Sequence, residues 1–435
     1  MRLVRRVCIT RKVTLLDSVR SGPLRLPLLT LLFAASFASY MERSNLSIAG
    51  ELMMPALSLT KSDLAAVFNG FLIGYGIFQV PTGWLGDRFS PGLVLGCSAL
   101  LWSLFTILTG LLPGTLFHAV GATISLLWLL RFLLGAAEAA TFPVASRAVH
   151  LWIDPSRRGL GNSLMLTGAS TASACTAPFV SWSMLRFGWR ASFYLTALVS
   201  LLVSFLWIRF RAPAVEVEQE IIALPKTKTG KWLTTNVLLL SLSYVSEGYL
   251  LFMFISWLYI YLVEVRGFSL AEGGLAASLP WIAAIVATPL GGFVSDRLTV
   301  SHGRVAGARF LIIGGYTLSG LLLLAAAVAP NRLLAVSALC VSLGSLYLAE
   351  SSFWTVASSI GDEDAGSVSG FMNTIGILGG IASNAVVPIL VKHYGRQGWM
   401  IAFGSGTLMG LFCAGIWLLF GSRLGSSTLV RITDR

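Results

Sequence analysis

Long apolar runs broken by short polar punctuation dominate this chain. Each run approaches the roughly 20 residues that a helix needs to cross a bilayer. The punctuation predicts two sets of spans. The first set centres near Phe37, Ile73, Trp102, Gly135, Ser170 and Val199, and the second near Phe254, Ala284, Leu321, Tyr347, Ile377 and Met409. The pattern therefore predicts an all-α polytopic membrane protein with about twelve transmembrane helices.

Composition sharpens that picture. Of 435 residues, 55% are hydrophobic and 11% charged, with a mean hydropathy of +0.79. Soluble domains carry about a quarter charged residues, so this chain needs lipid as solvent. The basic opening "MRLVRRVCITRKVTLLDSVRSGPLRLP" before an apolar run has the outline of a signal peptide. Twelve spans require the run that follows it, so it reads as an uncleaved cytoplasmic tail.

Placing the 31 Lys and Arg residues on this map puts 22 on the side of the N-terminus, 7 on the other side and 2, Arg43 and Arg131, inside spans. By the positive-inside rule both termini face the cytoplasm. The net charge of +12 then reflects membrane orientation and anionic lipid rather than nucleic acid. Cys8, Cys97, Cys175, Cys340 and Cys413 have no metal or redox spacing, and the four histidines do not cluster, so no metal site is expected. No phosphate-binding glycine loop appears. The chain reads as neither an enzyme nor a cofactor protein.

Internal repetition sets the domain plan. Asp87 in "GWLGDRF" and Asp296 in "GGFVSDRL" are 209 residues apart; Pro178 and Pro388, and Trp189 and Trp399, are each 210 apart. Two similar six-helix halves follow. The expected boundaries are a tail over 1–22, an N-terminal bundle over 23–210, a charged cytoplasmic linker over 211–232, a C-terminal bundle over 233–422 and a tail over 423–435.

Four acids fall within spans: Glu42, Glu138, Glu247 and Glu350. A charge at mid-bilayer costs about 2.5–3.5 kcal/mol on insertion scales, so such residues face the bundle interior and carry function. Arg131 and Glu138 in "RFLLGAAEAATFP" are seven residues apart. On a helix they share a face but stand about 10 Å apart along the axis, so each must find partners on a neighbouring helix, in a cavity or on a ligand. In "YMERSNLSIAG", Tyr40, Glu42, Arg43 and Asn45 put a phenol, an acid, a guanidinium and an amide within six residues, and Tyr40, Arg43 and Asn45 are candidates to bind substrate. Glu42 and Arg43 diverge by about 100°. Arginine keeps its charge, and its planar fork grips a carboxylate or phosphate with two hydrogen bonds.

"GWLGDRFSPG" resembles the loop signature of the major facilitator superfamily, whose plan is two six-helix repeats. The resemblance makes Gly83, Asp87 and Arg88, with Asp296 and Arg297 in the second half, a cytoplasmic gate motif. Ser90, Pro91 and Gly92 depart from the usual pattern there. "YMERSNLSIAG", "GYGIFQVPTGWLGDRF", "RFLLGAAEAATFP" and "GWRASFYLTA" together resemble the anion:cation symporter family within that superfamily, carriers of sugar acids and other organic anions. The resemblance implies that Arg43 and Tyr75 bind the substrate carboxylate. It implies that Glu42, where aspartate is common, and Glu138 bind a coupling proton. Arg131 would modulate Glu138 or bind anion. A carboxyl in an apolar site holds a proton more readily than one in water, so anion and proton can each favour the other's binding.

In the C-terminal half, Trp354, Asn373 and Thr374 are candidates to contact the carbon frame and hydroxyls of a substrate. The family often has a proline in the segment "ISWLYIYL", and an amide where Ile377 stands; neither occurs here. Glu247 and Glu350 are assigned no role. The reading is a monomeric proton-coupled symporter of the bacterial inner (plasma) membrane that imports a small organic anion, a sugar acid or aromatic acid, with H+ as coupling ion. Proton-driven efflux of a drug or metabolite, and a non-transporting sensor, are the alternatives.

Overall fold

The computed structural model describes residues 26–115, 119–153, 158–210, 233–302, 304–361 and 365–429. The predicted N-terminal tail and the 211–232 linker lie outside them. Within them the chain runs back and forth as twelve rods. In the first half these are α1 (Leu26–Leu57), α2 (Lys61–Arg88), α3 (Pro91–Leu111), α4 (Val120–Glu138) continued by α5 (Thr141–Trp152), α6 (Arg158–Phe187) and α7 (Trp189–Arg209). In the second they are α8 (Thr235–Phe252), continued through a π-helical turn, Met253–Trp257, into α9 (Leu258–Glu264), then α10 (Leu270–His302), α11 (Arg304–Val328), α12 (Arg332–Gly361), α13 (Ala365–Tyr394) and α14 (Arg396–Leu429). Every predicted span centre falls within one rod. α14 continues to Leu429, into the stretch expected to be a tail.

Ten helical segments are long and apolar enough to cross a membrane. The rods outside that set, α1 and α6, are richer in polar and small residues. Residues 41–50 of α1 are all buried. α1 packs on α6 and α7, and α8 packs on α13. The two halves meet along α2 against α13 and α6 against α10.

The repeat is visible in detail. Thr60 caps α2 with Asp63 in a reciprocal capping box. Ser269 and Glu272 form the same box at the start of α10, 209 residues later. Near the other ends of these helices, the Arg88 guanidinium lies 4.5 Å from the Trp84 ring centre, and Arg297 lies 4.3 Å from that of Phe293. Both capping and stacking recur at one offset, which identifies α2 and α10 as equivalent elements.

Two local devices shape the interior. Pro143 has no N–H for the Ala139 carbonyl, and the rod breaks between α4 and α5 directly after Glu138. In the second half, the π turn Met253–Trp257 breaks its rod without proline. Such turns recur at functional sites, and every residue of this one is buried.

Close approach of α2 and α4 sets the position of the site. A methyl group on Gly135 would overlap the Phe71 carbonyl, and one on Gly74 would overlap the Phe132 carbonyl. The two backbones touch at these glycines, and α2 thereby carries Phe71 and Tyr75 toward α1.

Candidate functional site

Arg43 and Glu138 form the centre. Arg43 Nη2 donates to Glu138 Oε2 at 3.2 Å, joining α1 to the end of α4. Both are buried, at 8% and 0% exposure. Ser39, one helical turn before Arg43, donates to the same oxygen at 2.8 Å. Around the guanidinium stand three aromatic rings: Tyr40 at 4.4 Å, Phe71 at 4.8 Å and Tyr75 at 4.8 Å from ring centre to Cζ. Cation–π contact offsets part of the desolvation of a buried guanidinium.

The divergence expected of adjacent residues holds. Glu42 faces α3, where Thr106 Oγ1 donates to its Oε2 at 2.7 Å. Arg131 reaches the same turn of α1 and donates from Nη1 to the Glu42 backbone carbonyl at 3.2 Å. Arg131 and Glu138 thus find separate partners on α1, as their axial separation requires. Each member of the quartet keeps one buried atom without a hydrogen bond: Glu42 Oε1, Arg43 Nε, Arg131 Nε and Glu138 Oε1. Buried polar atoms are normally paired. This set therefore retains bonding capacity for protons, water or cargo.

A small hollow adjoins both arginines. Arg43, Arg131, Phe68 and Phe71 line it from the first half; Phe252, Ile255 and Ser256 from α8 and the π turn, and Asn384 from α13, line it from the second. Its free volume of about 10 Å³ is room for about one water molecule. Cations thus reach the seam between the bundles, where fixed aromatic and amide groups face them.

Not every expected residue joins this centre. Tyr40, Arg43, Tyr75 and Arg131 come together with Glu42 and Glu138. Asn45 does not: it turns toward α7, donating to Thr196 Oγ1 at 3.0 Å and accepting from Ser192 Oγ at 3.0 Å. It is fully buried with both ends of its amide engaged, so its place is in helix packing rather than in the hollow. Asn373 and Thr374 lie along α13 about 15 Å from Asn384 toward the Arg88 end. Asn373 makes a long 3.5 Å contact with Gln79, and Thr374 bonds its own helix at Gly370. Trp354, 39% exposed, donates to Glu350 rather than lining the hollow. Of the gate motif, Gly83, Arg88 and Arg297 are described, and the side chains of Asp87 and Asp296 lie outside the described residues.

Sequence reading missed Ser39, Thr106, Phe71, Asn69 and Asn384. Asn384 donates to Asn69 Oδ1 at 3.1 Å across the bundle interface, and Asn69 donates to the Ile381 carbonyl at 3.3 Å. An amide within an apolar span needs a hydrogen-bond partner, and both asparagines carry that signal.

The Lys61 ends of the bundles are held together. Lys61 pairs with Glu264 at 2.8 Å. Ser181 donates to the Tyr259 hydroxyl at 3.2 Å, and the Phe68 and Trp257 rings meet edge to face at 5.8 Å. These contacts join the two bundles on the Lys61 side of the hollow.

Comparison with known proteins agrees with this architecture. Residues 32–384 match the family described as "Major Facilitator Superfamily". The chain is 29% identical to the hexuronate transporter of Bacillus subtilis (strain 168), covering 85% of this chain and 89% of the relative. It is 30% identical to a Cupriavidus necator protein named "Probable sulfoacetate transporter SauU", covering 86% and 90%. The crystal structure of a bacterial homologue of the human lysosomal transporter Spinster, inward-facing and occupied, superposes with a TM-score of 0.77 at 18% identity, covering 94% of this chain and 99% of that one.

Proposed function

Since this chain belongs to the Major Facilitator Superfamily, a family of transporters rather than enzymes, we propose that it imports a small organic anion together with protons by alternating access. The observation that carries the reading is the Arg43–Glu138 pair beside the hollow that Arg43 and Arg131 both line. Relatives named for hexuronate and sulfoacetate carry a carboxylate, or a carboxylate and a sulfonate, on a short frame. A guanidinium fork fits either group.

The mechanism follows from the exchange of one partner. Without cargo, Glu138 neutralises Arg43. An entering carboxylate competes for the fork, and Glu138 loses the cation that stabilises its charged form. In a buried site it then takes a proton. Loss of that proton restores the Arg43–Glu138 pair and expels the cargo. Glu42, bonded to Thr106 and adjoining Arg131, is a second proton acceptor. Proton and anion binding are linked reciprocally.

The Lys61-end contacts place the closed side away from the Arg88 end. On this reading the Arg88 end and both termini face the cytoplasm of a plasma-membrane carrier, and the Lys61-end contacts close its outer side.

Two experiments test the reading. Purified protein is heated with glucuronate, sulfoacetate and a neutral sugar of similar size; ligands stabilise the state they bind. An anion should raise the unfolding temperature and glucose should not. In proteoliposomes, an inward proton gradient should drive accumulation of the stabilising anion. No stabilisation by any carboxylate or sulfonate, or expulsion of a cationic compound under the reverse gradient, would overturn it.

A further inference from the structure

Across the seam from Tyr40, the second bundle holds an acid pair that the anion mechanism leaves unused. Glu247 stands on α8 and Glu350 on α12. Glu350 Oε1 accepts two hydrogen bonds, from the Tyr244 hydroxyl at 2.6 Å and the Trp354 indole N–H at 2.8 Å. Its other oxygen, Oε2, is sealed from solvent and has no partner. Tyr316 on α11 is fully buried, and its hydroxyl faces Glu350 without a well-formed hydrogen bond. Two orphaned oxygens therefore share one enclosed place. Buried orphans of this kind mark a missing donor.

Among the described residues, no cation is placed to fill that site. Glu247 follows Tyr244 by one helical turn on α8, and Tyr244 is hydrogen-bonded to Glu350, so the two carboxyl groups lie on one side of α8. Tyr244 on α8, Tyr316 on α11, Tyr347 on α12 and Cys413 on α14 face the pair, and Tyr40 approaches Glu247 from α1. These are phenols and a thiol. On α13, which packs against α8, the ionisable residues are Lys392, His393 and Tyr394, all in its last turn. Arg43 shares the neighbourhood of Tyr347, but Glu138 holds its guanidinium. Two facing carboxylates without a cation cannot both stay ionised.

We propose that Glu247 and Glu350 hold one proton between them, forming a proton site in the C-terminal bundle that is separate from Glu42 and Glu138. A hydrogen on Glu350 Oε2 donates to the Tyr316 oxygen and satisfies both orphans at once. Tyr244 and Trp354 fix the carboxyl so that Oε2 is the oxygen that receives it. The proton comes from and returns to solvent as H+, with no other bond made or broken. On the reading above, which this consequence rests on, an anion held at Arg43 faces this pair across the bundle seam. The shared proton removes one negative charge from the wall opposite the cargo, so cargo and proton favour each other here as well.

Infrared difference spectra of the full-length protein in lipid nanodiscs, recorded at neutral against alkaline pH, read protonated carboxyl groups directly. The expected result is a carboxylic-acid component that persists in E42Q/E138Q, is missing in E247Q/E350Q and changes in each single variant, E247Q and E350Q. Gel filtration verifies that the variants fold. Y316F provides a milder check, because losing the acceptor should shift the band without abolishing it. A band unchanged in E247Q/E350Q, or lost only in E42Q/E138Q, overturns the proposal, as does an unshifted band in Y316F. R43A should lose cargo binding and keep the band, so failure of the anion reading and failure of this site give different spectra and binding curves.

Discussion

Arg43 and Glu138 meet at 3.2 Å although 95 residues separate them, and three aromatic rings enclose the guanidinium at that contact. The pair is buried, so its charges compensate each other rather than interacting with water. Truncating one member of such a pair typically costs about 3–5 kcal/mol. R43A should therefore lower thermal stability markedly, unless Glu138 takes up a proton. R43K keeps the charge but loses the planar fork. It should fold nearly as well as the parent chain yet bind glucuronate or sulfoacetate at least tenfold more weakly, about 1.4 kcal/mol. Thermal unfolding measures the first and calorimetric titration the second. Unaltered affinity in R43K would show that cargo does not use the fork.

Glu42 depends on Thr106 in a comparable way. Valine has nearly the shape of threonine but lacks the hydroxyl, so T106V leaves Glu42 Oε2 buried without its 2.7 Å donor. An unsatisfied buried acceptor costs about 1–3 kcal/mol. The variant should lose stability on that scale and change the pH dependence of anion uptake, and T106S should restore both. A T106V chain with the parent's pH profile would remove Glu42 from the proton path.

The glycine contact between α2 and α4 yields a prediction about assembly. At Gly135 an added methyl meets the Phe71 backbone carbonyl, which cannot move without shifting α2. Overpacking of this kind costs about 1–3 kcal/mol or more. G135A should reduce the unfolding temperature and weaken anion binding together, because α2 carries Phe71 and Tyr75 into the site. Gly121, early in α4, has open space around it. G121A should leave both properties unchanged, and equal effects of the two substitutions would refute this account of the crossing.

How legible all this was in the sequence depended on the kind of information involved. The spans were readable because hydropathy acts over about 20 residues, and the repeat because Asp87, Pro178 and Trp189 recur at nearly one offset. Arg43, Glu138, Glu42 and Arg131 were readable because charge in an apolar run is costly enough to require a reason. Which partner each one takes was not. Ser39 and Thr106 are ordinary small residues in membrane helices, and only the crossing of α1 with α3 and α4 gives them a role. Asn45 shows the converse. Its place beside Arg43 in the chain suggested cargo, but two residues on a helix turn about 200°, and that rotation sends its amide to α7.

Closure at the Lys61 end supplies the last prediction. The Lys61–Glu264 pair is 27% and 29% exposed, so solvent screens it and it contributes at most about 1 kcal/mol. The Asn384–Asn69 bond is enclosed between helices, where such contacts average about 0.6 kcal/mol and reach about 2. Neither alone holds the bundles, but both oppose the same separation. Ser256, 2% exposed, lines the hollow behind them. In a chain whose five native cysteines are replaced, S256C reports access to the hollow through its reaction with an impermeant maleimide. Added from the outer side, the reagent should label S256C slowly, about fivefold faster with K61A, and faster again with K61A and N384A combined, since each 1.4 kcal/mol is tenfold in population. Labelling that stays at the parental rate in the combined variant would mean that these contacts do not govern opening, and that the seal lies in the apolar packing of Phe68 on Trp257.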